Sequence, residues 1–449
     1  MVKALISALL LSSLSLRAYT VVGKTVITDG SSGDTSSAVV YAQNQGQDGW
    51  SVVIGTPGGS YTWTNEVDIL ATHAMTLCGA SSNNPTTINF NHSQNFGLYI
   101  NASSSNHLFV VQNLIFNNGG SVPSSAIIEL DGQGVCFRFT GLTFLTVATS
   151  KFDVQICGIN SLAVPGPYGL IDHCSWVIPY ADSWNFINIR HNGSAIHYSW
   201  TLPMSWGTTN QVVIEYCTVN VANQNHTGAF TESQGGSRYT VRDCNVTNES
   251  CSWHGFNSGD RDGTLQVEMY RNNFFVSQTI STAPYWLFMR GGTFRIWSNS
   301  VSQSISWNIG VGAQMIEECA ESGNYQAESC DPSYGNNGLL IYPTNYPGPQ
   351  QIGQGVANAA AGWPAGQGLV PGAFWGNSIN VTASQFVIGD ATLEDTNFIV
   401  WGRDITNAMP AGYVPLVDPH PLDGYLPPPV VQPTLINSLG RIARKPYLQ

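Results

Sequence analysis

The sequence predicts an all-β chain folded as a single-stranded right-handed parallel β-helix, a solenoid with an irregular C-terminal segment, and three observations predict it. First, Trp206-Gly207-Thr208, Gln234-Gly235-Gly236, Asp262-Gly263-Thr264 and Arg290-Gly291-Gly292 each open a short β-type run, and their first residues lie 28 apart every time. Second, each run closes on apolar ends around a small residue, as in Ile214-Glu215-Tyr216-Cys217-Thr218-Val219 and Val241-Arg242-Asp243-Cys244-Asn245-Val246. Third, 46 glycines and only 10% charged residues suit strands and turns better than helices or disorder. A repeat of this length marks a solenoid, a propeller or an array, and a propeller blade would need about 40 to 45 residues. One solenoid coil needs about 28, each coil burying its inward side chains on the next.

Taken in order, the chain starts with Met1-Val2-Lys3 and a mostly apolar run from Ala4 to Leu16, closed by Arg17. One lysine followed by about 7 to 15 apolar residues is a secretory signal pattern, too short to span a bilayer, so residues 1–23 are expected to be a signal peptide and the protein secreted or at the cell surface. Residues 30–330 are expected to form the β-helix. Val52-Val53-Ile54 and Met75-Thr76-Leu77-Cys78 are its first strands, each followed by a glycine turn. Stacking places Leu114, Leu142, Cys174, Cys217, Cys244, Asn272 and Asn299 at one recurring position. The three cysteines there are expected to be small buried side chains, and Cys319 with Cys330, flanking a polar loop, to form a disulfide. Residues 331–425 are expected to hold irregular last coils and a segment packing back along the solenoid, since end coils expose unpaired strands. Residues 426–449 read as a Pro-rich linker and a basic tail.

The net charge of -12 argues against nucleic acid as a partner, and no later stretch is long and apolar enough for a membrane helix. The first strands, the coil repeats, Gly169-Leu170-Ile171-Asp172-His173-Cys174, Met409-Pro410-Ala411-Gly412-Tyr413 and Pro419-His420-Pro421-Leu422 together resemble secreted right-handed β-helix proteins of the pectate-lyase-like superfamily, over roughly residues 52–422. That resemblance implies a polysaccharide partner and, for the catalytic members, a lyase or a hydrolase. Two features depart from the lyase pattern: Arg-x-Pro occurs only as Arg444-Lys445-Pro446, outside the coils, and no Asp-x-Asp precedes Asp172.

Residues one period apart stack on adjacent coils, about 4.7 to 4.9 Å apart. On that register Glu232 neighbours Asp260, Gln234 and Asp262 sit beside them, Arg290 lies one coil further on, and Trp206 one coil earlier; His254 precedes the set by a short loop. Two reactions use such a set. In β-elimination from a uronic-acid polymer, a hard cation neutralises the sugar carboxylate and a base removes the adjacent proton; Glu232, Asp260 and Asp262 are the expected Ca²⁺ ligands and Arg290 the expected base. In glycoside hydrolysis two carboxyls flank the bond, which suits Glu232 and Asp260, with His254 nearby. Trp206 is expected to stack on a sugar ring and Gln234 to bond its hydroxyls. A second column, Asp172, Glu215 and Arg242, is expected to be an ion-pair ladder on the outer face, with His173 a hydrogen-bonding partner. The sequence leads to an exported, polysaccharide-binding β-helix protein, most simply a cation-assisted lyase for an acidic glycan. The alternatives are a glycoside hydrolase and a non-catalytic adhesin or fibre protein, which would self-associate.

Overall fold

β-Branched and aromatic runs of four to seven residues, cut by turns, wind into parallel coils. The computed structural model describes residues 19–102, 107–117, 123–145, 152–158, 166–178, 185–191, 199–222, 229–255, 263–277, 285–304, 312–315, 350–356, 367–380, 386–388 and 399–423. Each coil contributes one strand to each of three long sheets. Sheet A has 13 strands among the described residues, and sheets B and C have 10 each. Successive strands pair in parallel: Tyr168–Asp172 with Val212–Glu215, then Arg238–Arg242, Gln266–Tyr270 and Thr293–Trp297 on sheet A. The chain is a parallel β-helix, as its period predicts.

The recurring position of the sequence is the bend from sheet A to sheet B. It carries Leu114, Leu142, Cys174, Cys217, Cys244, Asn272 and Asn299, all buried, and the structure extends it to Thr86 at one end and Asn377 at the other. The residue before it adopts positive φ in coil after coil: Asn113 (57°), Gly141 (60°), His173 (54°), Tyr216 (53°), Asp243 (54°), Arg271 (59°), Ser298 (56°) and Gly376 (62°). A single left-handed residue turns the chain sharply, and the following side chain points inward to stack on its counterparts. The thiols of Cys174, Cys217 and Cys244 donate to backbone carbonyls such as those of Asp172, Glu215 and Arg242. In the later coils amides take over. Asn272 Nδ2 donates to Asn299 Oδ1 and Asn299 Nδ2 to Asn377 Oδ1, both at 2.9 Å. Inside sheet B the aromatic rings of Phe90, Phe116, Phe144 and Trp176 stack with centroids 5.1 to 6.1 Å apart. The thiol reading holds, whereas Cys319 and Cys330 lie outside the described residues.

Both ends depart from the plain repeat. Helix α1 (Ser32–Gln43), which the sequence reading did not foresee, has Ser31 at its N-cap and buries Ala38, Val39 and Ala42 against the first coil. It closes the open end of the core, since edge strands need cover. Beyond residue 331 the coils are more regular than expected: Gly372–Trp375, Ser378–Asn380 and Phe386–Ile388 pair in register with sheets A, B and C. Residues 413–423 form a return segment that runs toward the N-terminal coils along the outside of sheet A. Tyr413 meets Glu268, Leu416 and Val417 meet Arg242, and Leu422 and Asp423 meet Arg138.

Candidate active site on sheet C

On sheet C the outward positions of each strand form two columns. The first runs Tyr99, Glu129, Gln155, Asn188, Glu232, Ser252 and Phe288; the second runs Asn101, Asp131, Cys157, Arg190 and Gln234, with His254 and Arg290 following at the ends of the next two strands. Inward positions between them are apolar or small, as in Leu130, Ile156, Ile189 and Ser233.

Glu232 is at the centre of the later half. Its Oε1 is 3.2 Å from His254 Nε2 and 3.1 Å from Arg290 Nη2. In the tautomer that donates its Nε2–H to this carboxylate, the imidazole lone pair is on Nδ1. Arg290 also donates to Ser252 Oγ and to Trp253 O, and its guanidinium lies 4.9 Å over the Phe288 ring. The coils at this end approach closely: a Cβ at Gly291 would lie 2.5 Å from Gly255 Cα. A side chain at that position would spread the coils and move Arg290 off Glu232. One strand earlier, Gln234 Oε1, in the amide orientation that its neighbours dictate, accepts from Arg190 Nη2 (2.8 Å) and Nε (2.6 Å).

The earlier half is acidic. Tyr99 Oη donates to Asp131 (2.7 Å), and Gln155 Nε2 donates to Glu129. Burial, and then the neighbouring Asp131, push the Glu129 carboxyl up to about 7, and burial raises Asp131 as well. Glu129, Asp131 and Cys157 place one ligand atom each within 4.8 Å of one another. The bonds from Tyr99 and Gln155 already engage both carboxylates, so the trio reads as a group that shares protons. Asp172, His173 and Asp423 form a similar trio, and there the Arg138 guanidinium bridges the two carboxylates at 2.7 and 2.8 Å.

The structure sorts the predicted residues. Glu232, Gln234, His254 and Arg290 share the outer face of sheet C. Asp260 and Asp262 lie outside the described residues, and the register that made Asp260 the coil neighbour of Glu232 is corrected. The pairing Thr231 to Cys251 puts Ser252 beside Glu232. The spacing of 28 is an average over two coils, since Thr231 to Cys251 is 20 residues and Cys251 to Leu287 is 36. Trp206 is not on sheet C at all. Its ring covers the Arg295 guanidinium of sheet A at 4.4 Å. Arg290 is a donor in each of its contacts with Glu232, Ser252 and Trp253.

Sequence reasoning missed Glu129, Asp131, Asn188 and Arg190. The signal was an alternation at strand ends: Glu129-Leu130-Asp131, Asn188-Ile189-Arg190, Glu232-Ser233-Gln234. Corner loops of unequal length hid it from a search for one period.

No family model matches the sequence, and no curated protein matches it. Among solved structures, it is similar to an alginate lyase from Paenibacillus sp. str. FPU-7, with 12% identity and a TM-score of 0.35 over 62% of this chain and 98% of that chain.

Proposed function

We propose that the protein binds an acidic polysaccharide along the outer face of sheet C and cleaves it by β-elimination. The observation that carries this reading is one carboxylate oxygen, Glu232 Oε1, held by both the Nε2 of His254 and the guanidinium of Arg290. Arg290 and Arg190 supply positive charge for uronate carboxylates, and Gln234, between Arg190 and His254 in the second column, offers its amide to sugar hydroxyls. Pairing of the sugar carboxylate with Arg290 makes the neighbouring C–H more acidic. His254, oriented by Glu232, takes that proton at Nδ1; the electron pair forms the C=C bond, the glycosidic C–O bond breaks with its electrons on the leaving oxygen, and the His254 imidazolium returns the proton to that oxygen. The base is therefore His254, with Arg290 as the counter-ion. Export of the protein, expected from its first residues, belongs to the same proposal.

A second reading, hydrolysis, is favoured by Glu129. A carboxyl held near 7 beside a second carboxyl is the pattern of an acid and base pair. The test is product release from a panel of acidic and neutral polysaccharides, with Ca²⁺ and with a chelator, for the wild type, Arg290→Ala, His254→Ala and Glu129→Gln. Unsaturated uronate ends that disappear in Arg290→Ala and His254→Ala are the expected result. Saturated reducing ends that disappear in Glu129→Gln would move the assignment to hydrolysis. No product from any polymer would overturn both and leave an adhesin or fibre role. Loss of product with the chelator would restore a cation to the reaction.

A further inference from the structure

On sheet A, Arg238 is fully buried and is held differently from Arg138 and Arg242. Arg138 and Arg242 each face a buried carboxylate, Asp172 and Glu215. Among the described residues no carboxylate contacts Arg238. Its Nη1 donates to Ser199 Oγ (2.6 Å) and Gly236 O (3.2 Å), and its Nη2 to the carbonyls of Ser199 (2.7 Å), Leu202 (3.1 Å) and Pro203 (3.4 Å). Its Nε has no acceptor. A desolvated cation whose counter-charge is missing is a costly arrangement, and burial lowers the Arg238 pKa accordingly. His191 beside it adds no negative charge. Its Nδ1 accepts from the Arg238 backbone N–H, its Nε2 is unpartnered, and burial first and then the Arg238 charge push it down to about 3.

Arg238 lines a cavity of about 420 Å³ that opens to solvent. Leu202, Pro203 and Met204 give it an apolar side, and Tyr168, Ser205, Thr208 and Asn210 give it hydroxyls and an amide. That volume lies within the range of small-molecule sites, about 300 to 1,000 Å³. We infer that this cavity is a binding site for a small hydroxylated monocarboxylate, whose carboxylate supplies the missing counter-charge to Arg238. Its carbon skeleton rests on Leu202, Pro203 and Met204, and its hydroxyls face Thr208 and Asn210. The site is on sheet A and does not depend on the chemistry of sheet C.

The experiment is a thermal-shift and calorimetric titration of the full chain at constant ionic strength with sodium glucuronate, methyl glucoside as the neutral comparator, and sodium sulfate. The expected result is a saturable rise in Tm with glucuronate and none with methyl glucoside. Asn210→Trp, at the exposed rim, weakens glucuronate binding at least tenfold while leaving polysaccharide cleavage unchanged; Asn210→Leu is the milder variant if the first fails to fold. Arg290→Ala leaves glucuronate binding intact. The inference is overturned if glucuronate produces no saturable shift, if methyl glucoside or sulfate produces an equal one, if the rim variants bind as well as the wild type, or if Arg290→Ala abolishes binding.

Discussion

The outer faces of sheets A and C carry the same ingredients and use them differently. On sheet A, Arg138 joins Asp172 and Arg242 joins Glu215; these guanidiniums also donate to the carbonyls of Leu422, Asp423, Leu416 and Val417. Each pair is roofed by the return segment and has a backbone to hold. On sheet C, Glu232 with Arg290 and Gln234 with Arg190 lie in two side-chain columns over which none of the described residues folds a return segment. The difference is one of cover: the guanidiniums of the sheet A pairs end their spare donors on carbonyls of the return segment, whereas Glu232 and Arg290 meet across strands of sheet C. It also explains why Asp172, Glu215 and Arg242 behave as the ladder that the sequence suggested. Their carboxylates and guanidiniums are desolvated together, and burial, with the charge of Asp172 adding to it, raises the Glu215 carboxyl even beside Arg242.

The sharpest way to break this comparison is to remove one member from each face. Arg242→Ala leaves Glu215 buried without its partner and loosens Leu416 and Val417, and should cost about 3 to 5 kcal/mol in urea unfolding. Activity per folded molecule should stay at the wild-type level. Arg290→Ala should do the reverse, lowering cleavage of an acidic polysaccharide about 100- to 1,000-fold with a small change in Tm. If the two variants lose stability and activity in parallel, the two faces are not functionally distinct.

Acidity sharpens the contrast within sheet C. The folded Glu129 carboxyl binds its proton more tightly than the unfolded one, with a pKa of about 7 against an ordinary value of about 4.3. The stability this contributes is full below about pH 4.3 and is lost as pH rises through about 7, because deprotonation then favours the unfolded chain. Unfolding free energy measured from pH 4 to 8 should fall across that window by about 1 to 3 kcal/mol, and Glu129→Gln should flatten the curve. A flat wild-type profile would mean that Glu129 is ionised in the folded protein.

Two smaller effects test the stacking and the sorting of residues. Asn299→Ala removes the middle of the amide ladder, leaving Asn272 and Asn377 with unmet hydrogen bonds, at a cost of about 1 to 3 kcal/mol in thermal unfolding. Trp206→Ala loses a cation–π contact worth about 0.5 to 1 kcal/mol and should leave cleavage within about twofold of wild type. A large loss of activity in Trp206→Ala would return that ring to the substrate path.

Much of the fold was legible because the bend from sheet A to sheet B repeats with little change. It needs one left-handed residue and one small or amide-bearing inward residue, and the sequence shows both as His173-Cys174, Tyr216-Cys217, Asp243-Cys244, Arg271-Asn272 and Ser298-Asn299. Helix α1 was not legible, since its buried Ala38, Val39 and Ala42 are small and sit among serines and threonines. Among the candidate residues, Glu232, Gln234, His254 and Arg290 share one face, while Trp206, which the period places one coil before Gln234, instead lies over Arg295 of sheet A.

The residue order alone set the parallel stacking of the coils and the identity of the buried ladder, both consequences of short-range turn geometry and of side chains that must stack on copies of themselves. Only the tertiary structure decided which polar columns are covered and which side chains meet across coils. The corner loops differ in length from coil to coil, so the residue beside Glu232 is Ser252, 20 positions on, and the cover over sheet A comes from residues more than 170 positions beyond Arg242. Distance along the chain fixes neighbours only where the path between them is constant, and even at the bend from sheet A to sheet B, whose local residues repeat, stacked neighbours are 27 to 78 residues apart.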